Sequence, residues 1–537
     1  MDSSSPGGSH WLDLLEPARI VRLMLDRRAR LGAAWLVAVL VAWNTFNLGW
    51  YCMSRPDRPD GNYAHVNIDF SGQYLLGRMV LQSEGPFLYR KTHQAEILKE
   101  SFPVSAEAKG QETHDADEVM GWLIGYGDDS EIRGPLYPPV HALLFAPLTY
   151  LPPLYAYRVV QVLTFLLTFV VAFLAERITE ERVWCPVALV LVFILPGYMG
   201  ALGLGQNPLF TLTLLTVGWW LLTTHRPILA GIAWGFLAYK PVWAVAFLPV
   251  LLLTGRWRAS AAMALTGIAL GLATLPLVGI QCWFDWLAMG RLASDRYSWD
   301  ANWIPLSRDL INLPRRLFIA HAENNVPIYL IDKAIVDALS YALWAGVIML
   351  TVGVALLRRR QVSVLHGPGP AFLLLGGWMS CLHFMYYDAM LTFLPVCLLF
   401  SEPSRFLQMS FWPKPREPVP AELLPYYQPT SLAEPPPMPL LPGGRHARWV
   451  VNPLPPLLLV LLLGLTPLMI WYDPSYHFPP VDTFCLIAIW AWCGWSVWRE
   501  EAKVTPAQAI GMQEKDENPY PLPVYEPEVT ISVVKHF

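Results

Sequence analysis

The sequence predicts an all-α polytopic membrane protein. Of its 537 residues, 54% are hydrophobic and only 15% are charged, and many apolar runs approach the length of a membrane span. Soluble domains carry about 25% charged residues, and a helix needs about 20 apolar residues to cross ~30 Å of hydrocarbon. The net charge of −4 gives no basic footprint, so nucleic acid is excluded as a partner.

The first span is predicted at about 32–53. Five arginines precede it within the first 30 residues, and the run ends in interfacial residues (Asn47 to Tyr51) rather than a small-residue cleavage site. Positive charge stays on the cytoplasmic side. We therefore expect a signal anchor with residues 1–30 in the cytoplasm, in a multi-pass protein of the cell inner (plasma) membrane.

Further apolar runs bring the predicted total to roughly 11 to 13 membrane segments. Two of these runs are interrupted by polar residues: 227–253 at Tyr239-Lys240-Pro241, and 370–400 at Met385 to Asp388. The short run 137–151 contains several prolines and predicts a partial or re-entrant helix, with a full crossing as the alternative. The remaining spans are predicted at about 155–175, 184–202, 206–224, 259–280, 336–357, 451–472 and 480–498.

The domain organisation follows from these spans. Residues 31–400 form a transmembrane region with two long extracytoplasmic loops, about 54–134 and 281–335. A proline-rich cytoplasmic linker (401–449), a C-terminal transmembrane pair (450–499) and a disordered cytoplasmic tail (500–537) follow. If 137–151 does not fully cross and 227–253 dips into the membrane as two half-helices, the arginine clusters share the cytoplasmic side. Five features then share the outer side: Asp69, 205–207, Lys240, 291–312 and Tyr387-Asp388.

Two charged residues stand out along this outer side. Asp69 begins a run with Tyr74, Leu75, Arg78 and Leu81 at helical spacing, which predicts an amphipathic helix along the membrane surface. Lys240 interrupts an apolar segment, where a charge is costly and marks a functional site by default.

Four local patterns, in order, resemble those of a known family. Asp69-Phe70 with Tyr74, Arg78 and Leu88-Tyr89 is similar to its first-loop signature, and Gly205-Gln206-Asn207 to its interhelical turn. Two further blocks are Tyr137-Pro138-Pro139 with Leu143-Leu144 and Ala146-Pro147-Leu148, and Gly231 and Gly235 with Lys240-Pro241. Across residues 30–400 the chain resembles glycosyltransferase family 87, within the GT-C superfamily. An acidic insertion in the first loop and the proline-rich linker depart from that pattern.

The resemblance implies a GT-C-like bundle and an inverting enzyme. Its donor would be a hexose, mannose by analogy, on a polyprenyl phosphate, and its acceptor a lipid or glycan on the extracytoplasmic face. By the motif match, Asp69 is the candidate general base, and its alternative role is a helix N-cap. Lys240 would contact the donor phosphate, and its alternatives are snorkelling or an ion pair with Asp388.

Other candidates are weaker, because each has a common structural role. Gln206 and Asn207 are expected to bond sugar hydroxyls or only to make the turn, and Tyr387 to stack on a sugar or join the aromatic belt. Arg78, Arg291, Arg296 and Asp388 complete the candidate donor-binding set, and His141 and His383 are candidates for proton transfer or satisfied structural histidines.

We expect no cofactor and no tightly bound metal. Some members of the superfamily carry a carboxylate pair at the first loop, whereas Asn67 here supplies an amide two residues before Asp69. The seven cysteines are expected as core thiols, with Cys52–Cys282 the one pair near a common surface.

Two other classes compete with the enzyme: a transporter or flippase of lipid-linked saccharides, and a non-catalytic scaffold. Two long polar loops and the lack of an inverted repeat favour the enzyme over a transporter.

Overall fold

A computed structural model describes residues 26–52, 69–101, 131–132, 134–195, 197–300, 303–321, 326–401, 458–464 and 480–499. The predictions for Asn67, for most of the acidic insertion, for the linker beyond Ser401 and for the tail beyond Arg499 lie outside these residues.

The described residues form a helical bundle, as predicted. The first half contains α1 (Arg27–Asn47), α2 (Asp69–Leu81), α3 (Lys91–Ser101), α4 (Pro139–Phe145), α5 (Pro153–Ile178), α6 (Cys185–Ile194), α7 (Tyr198–Leu204), α8 (Pro208–Thr223), α9 (Pro227–Gly235) and α10 (Pro241–Leu253). The second half contains α11 (Trp257–Tyr297), α12 (Asn312–Phe318), β1 (Ile319–His321), β2 (Pro327–Tyr329), α13 (Lys333–Leu357), α14 (Arg359–Val362), α15 (Pro368–Ser380), α16 (Phe393–Phe400) and α17 (Val481–Arg499).

Among the described residues, five helices are long and apolar enough to span a membrane, and a bent pair makes a sixth. The five are α1, α5, α11, α13 and α17; the pair is α6 and α7, bent by 69°. The apolar helices Pro208–Thr223, Pro227–Tyr239, Pro241–Leu253 and Tyr386–Phe400 are shorter. The predicted total of roughly 11 to 13 segments thus includes several that are too short to cross alone.

Both predicted interruptions are confirmed. A 3₁₀ turn, Phe236–Tyr239, separates α9 from α10, which begins at Pro241. The second interruption follows α15, which ends at Ser380, and the chain resumes as the 3₁₀ turn Tyr386–Thr392 before α16. Proline starts a helix readily because the first turn needs no N–H donor there, but it cannot continue the preceding one.

The short run 137–151 is helical only over α4 and a following 3₁₀ turn, Ala146–Tyr150. A helix of this length covers well under the ~30 Å of a bilayer core. This geometry favours the partial helix over a full crossing.

Helix α2 corrects the prediction of an amphipathic surface helix. Its residues from Phe70 to Gly77 are all buried, and Met79 is buried as well. They pack in a second hydrophobic cluster with residues of α4, α5 and α11, including Phe145, Tyr157 and Val278. Helix α2 therefore lies inside the protein because α4 and the turn after it cover the face that the pattern assigned to water.

The second predicted loop is more ordered than expected. Helix α11 runs on to Tyr297, with one non-helical residue, Gly279 (φ 71°, ψ 169°), at the end of the predicted span. Beyond it, β1 and β2 pair antiparallel with Ala320 opposite Ile328. Much of residues 281–335 is thus helix or strand.

The main core is apolar and aromatic, and it extends into the last helix. Trp490 of α17 stacks on Phe372 of α15 with ring centroids 5.4 Å apart. Burying a large apolar side chain contributes about 1.5–3 kcal/mol. Cys282 is free and buried, and the other cysteines whose side chains are described are free as well. The predicted pairing with Cys52 involves a side chain outside the described ones.

Candidate active site

A buried ion pair joins the two interrupted segments. Lys240 Nζ lies 2.8 Å from Asp388 Oδ1, and the two side chains are 8% and 0% exposed. The ammonium also lies 5.3 Å from the centre of the Tyr387 ring. A lone charge here would be costly, so pairing explains how the bundle accommodates Lys240. The ion pair with Asp388, one alternative for Lys240, is thereby confirmed.

The interruptions themselves place this pair. Lys240 stands between the 3₁₀ turn and α10 with non-helical backbone angles, φ −136° and ψ 76°. Asp388 lies in the first turn of Tyr386–Thr392, where its Oδ2 accepts a hydrogen bond from the Met385 N–H at 3.4 Å. Lys240 and Asp388 therefore lie at the ends of helical segments rather than on helix faces, and their charged side chains lie inside the bundle.

The Gly205-Gln206-Asn207 turn connects α7, α8 and the head of α2. Gln73 Nε2 donates to the Gly205 carbonyl at 2.8 Å, and Asn207 Nδ2 donates to Gln73 Oε1 at 3.0 Å. Gly205 has φ +63°, and a Cβ there would stand 2.7 Å from Phe70 Cβ. Only glycine fits a left-handed position at this close approach. The turn thus holds the first turn of α2 against the bundle.

Gln206 links the turn to the ion-pair region. Its Nε2 donates to the Tyr387 hydroxyl at 3.3 Å, and its side chain is close enough to the Tyr137 phenol to influence it. Gln206 Oε1 and Asn207 Oδ1 are buried without a hydrogen-bond partner among the described residues. Buried polar atoms are normally satisfied. Both amides therefore keep acceptor capacity for another molecule.

Asp69 lies within electrostatic reach of the same region. It is the first residue of α2, within the first turn rather than at the N-cap. Its carboxylate interacts electrostatically with the phenols of Tyr137, Tyr297 and Tyr387. Burial and this charge raise the pKa of Tyr137 well above its usual value, so its hydroxyl stays protonated. Asp69 and the ion pair thus share Tyr387 as a neighbour.

The two histidines lie on either side of this group of tyrosines. His141 is buried and stacks on Tyr137, with ring centroids 4.3 Å apart, and on Tyr239 at 5.6 Å. His383 stacks on Tyr297 at 5.3 Å. Both histidines are within electrostatic reach of Lys240. The structure therefore brings both proton-transfer candidates beside the ion pair.

The three arginine candidates have other surroundings. Arg78 donates to the Thr149 carbonyl at 3.3 Å, and it lies about 13 Å further along α2 than Asp69 at 1.5 Å per residue. Arg291 is exposed on α11. Arg296 forms an ion pair with Asp300 at 2.9 Å. A role of these three arginines in donor binding stays a prediction.

Residues 136–383 match the model of glycosyltransferase family 87. Over this region the chain is similar to that family. Comparison with curated proteins and with solved structures gives no match. The matched region contains Tyr137, Gln206 and Lys240, whereas Asp69 precedes it and Asp388 lies just beyond its end.

This match indicates a membrane glycosyltransferase. This decides between the classes that the sequence left open, because a transferase rather than a transporter or a scaffold is the activity of family 87. Such an enzyme needs a base for the acceptor hydroxyl and positive or hydrogen-bonding groups for the leaving group. The site of this glycosyltransferase contains a carboxylate, a buried ammonium, phenols and amides.

The sequence patterns gave no role to three tyrosines of the glycosyltransferase that the structure places at the site: Tyr137, Tyr239 and Tyr297. Tyr239 accepts or donates at 2.6 Å to Thr211 and donates at 3.0 Å to the Asn207 carbonyl. Tyr137 and Tyr239 belong to the motifs that resemble the family, because they stand next to Pro138 and Lys240. That position was the sequence feature that could have indicated them as site residues. Tyr297 is the last residue of α11, and no local sequence pattern indicates a role for it.

Proposed function

We propose that this glycosyltransferase moves a hexose, mannose, from a polyprenyl-phosphate donor to a lipid or glycan acceptor, with inversion at the anomeric carbon. The reaction takes place at the extracytoplasmic face of the plasma membrane, with the N-terminus in the cytoplasm. The observation that carries the proposal is the convergence of Asp69, the Gln206 amide and the Lys240–Asp388 pair on Tyr387.

In this proposal, Lys240 is the residue that binds the donor phosphate. Asp388 holds the ammonium in place at 2.8 Å. The phosphate leaves with the electron pair of its bond to the anomeric carbon. An ammonium fixed before the reaction stabilises that developing charge without further reorganisation.

Asp69 is the general base. Its carboxylate takes the proton of the acceptor hydroxyl while the acceptor oxygen attacks the anomeric carbon from the face opposite the phosphate. A positioned base contributes about 10²–10⁴ in rate. The first turn of α2 favours a charged carboxylate, because the helix dipole is positive there.

The turn amides and the aromatic rings hold the sugar. Gln206 Oε1 and Asn207 Oδ1, both unsatisfied among the described residues, accept hydrogen bonds from sugar hydroxyls. Tyr387 packs against the ion pair and offers its ring to the sugar or the leaving group. His141 and His383 are the candidates to assist proton movement, since they stack on Tyr137 and Tyr297 beside Asp69.

No tightly bound metal takes part in this proposal. Within the described ranges, no group of three or more His, Cys, Asp or Glu side chains is arranged to hold a metal ion. The Lys240 ammonium supplies the positive charge that a divalent cation would otherwise provide.

The test is a choice between donors. The purified full-length protein is given polyprenyl-phosphate mannose, polyprenyl-phosphate glucose or nucleotide-linked mannose, each with labelled sugar, together with membrane lipid acceptors. We expect labelled product and free polyprenyl phosphate from the mannose lipid alone. Transfer from the glucose lipid would change the sugar. Transfer from the nucleotide sugar would overturn the proposed donor class.

A double variant tests whether the transfer depends on the Lys240–Asp388 pair. In the double variant Lys240→Met with Asp388→Leu, both charges are removed together, so no unpaired charge is left buried. It should fold and yet lose transfer from the preferred donor. Equal transfer by the double variant and the parent protein would remove Lys240 from the chemistry.

A further inference from the structure

A second buried charge cluster ties the last helix to the rest of the protein. Asp482, at the start of α17, forms a salt bridge with Arg308 and another with Arg316, whose Nη1 lies 3.6 Å from Asp482 Oδ1. The side chains of Asp482, Arg308 and Arg316 are 2%, 3% and 5% exposed. Asp309 is within electrostatic reach of Arg316 and balances the second positive charge.

Arg308 belongs to the segment between α11 and α12, whereas Arg316 lies within α12. The segment that carries Arg308 contacts the site directly. The backbone N–H of Arg308 donates to the Phe384 carbonyl at 2.6 Å, and that of Tyr386 donates to the Leu306 carbonyl at 2.8 Å. Ser307 and Met385 face each other as an antiparallel bridge between these two hydrogen bonds. Tyr387 and Asp388 follow immediately, so the segment 306–308 fixes the approach to both.

The rest of α17 is anchored independently of Asp482. Trp490 Nε1 donates to Thr351 Oγ1 at 3.2 Å, and its ring stacks on Phe372. An apolar face with these contacts suffices to hold a helix in a bundle. A buried carboxylate is poor evidence of stability by itself, because desolvation offsets much of the attraction. The specific effect of the Asp482 carboxylate is to fix the orientation of Arg308 and Arg316.

We propose that Asp482 is a positioning residue for the active site: through Arg308 it sets the 306–308 segment, and thereby the place of Tyr387 and Asp388. Helix α17 lies outside the residues that match family 87. The C-terminal span thus supplies an external support for the Lys240–Asp388 pair. The effect on turnover rests on the proposed function, whereas the effect on backbone order does not.

Hydrogen–deuterium exchange on the full-length protein separates positioning from anchoring. In Asp482→Asn, we expect exchange to rise about tenfold in peptides covering 304–309 and 383–388, with residues 484–497 still protected. Asp482→Glu should restore protection in part, because it keeps the charge. Trp490→Phe is the control: it removes the Thr351 hydrogen bond on the same helix and should leave 383–388 as in the parent protein.

Kinetics give the second readout. If the Lys240–Asp388 pair acts on the leaving phosphate, Asp482→Asn should lower kcat about tenfold with little change in KM. If the parent protein transfers no sugar, the proposed function fails, and the exchange experiment still decides the positioning.

Raised exchange along 484–497 with 383–388 unchanged would overturn the inference, because Asp482 would then anchor only its own helix. Should Asp482→Asn not fold, Arg308→Lys carries the same test, since it keeps a positive charge for Asp482 but removes the guanidinium hydrogen bonds to the Pro305 and Ser307 carbonyls. The same pattern of exchange in 304–309 and 383–388 is expected, and its absence counts against the proposal.

Discussion

The side-chain amide of Asn207 donates a hydrogen bond to Gln73 Oε1 at 3.0 Å, across more than a hundred residues of sequence. Gln73 in turn donates to the Gly205 carbonyl. These bonds hold the first turn of α2, and with it Asp69, at the turn that carries Gln206. The position of the proposed base thus depends on an amide network as well as on its own helix.

Replacing Gln73 tests that network. In Gln73→Leu, the Gly205 carbonyl and the Asn207 amide both lose a buried partner, which costs about 1–3 kcal/mol for each unsatisfied group. We expect a lower thermal midpoint in detergent and reduced transfer. Gln281→Leu is the control, because Gln281 is exposed and bonds Asp285 within its own helix at 3.0 Å. An unchanged midpoint for Gln73→Leu would show that the network contributes little.

The Lys240–Asp388 pair predicts non-additive effects on stability. Lys240→Met or Asp388→Leu alone leaves one charge buried and unpaired, at a cost of about 3–5 kcal/mol. The double variant should recover most of that loss, yet remain inactive. Thermal unfolding and transfer measured side by side would check both. Additive losses in the double variant would mean that the two side chains are not coupled.

The left-handed backbone at Gly205 predicts that only glycine is tolerated at this position. Alanine there would adopt a left-handed backbone, which costs roughly 1–2 kcal/mol, and its Cβ would clash with Phe70. We expect Gly205→Ala to lower the thermal midpoint and the transfer rate. Gly346→Ala is the matched control, because α13 has open space around that position. A midpoint for Gly205→Ala equal to that of Gly346→Ala would contradict the geometry.

The proposed mechanism without a metal predicts that transfer is insensitive to chelation. Full transfer should persist after treatment with EDTA and removal of divalent cations, because Lys240 supplies the positive charge for the leaving phosphate. Activity would be followed as labelled product formed before and after treatment. Loss on chelation, restored by Mg²⁺ or Mn²⁺, would assign that role to a metal.

Much of the architecture was accessible from sequence, because hydrophobic length and proline placement act locally. The breaks at Tyr239–Pro241 and after Ser380 follow from what proline and a buried charge do to a helix. The ion pair between Lys240 and Asp388 could be named as an alternative because each charge lies in an otherwise apolar segment and needs a partner.

Features set by tertiary packing were less accessible. Helix α2 has the periodicity of a surface helix, but α4 and the turn after it pack against it. No local sequence pattern predicts this tertiary contact. The sequence pattern gives Arg296 no partner, whereas in the structure it pairs with Asp300, four residues later. Tyr297 reaches the Asp69 carboxylate only because α11 continues beyond the predicted span.

The most direct test of the account is the rate of transfer by Asp69→Asn. Its control is Asp332→Asn, which changes a carboxylate that caps α13 by accepting from the Ala334 N–H at 2.7 Å. With polyprenyl-phosphate mannose as donor, Asp69→Asn should lower kcat by about 10²–10⁴ while the protein folds and binds donor as before. Asp332→Asn should transfer sugar at close to the parent rate. Transfer by Asp69→Asn at the parent rate would contradict the assignment of Asp69 as the base.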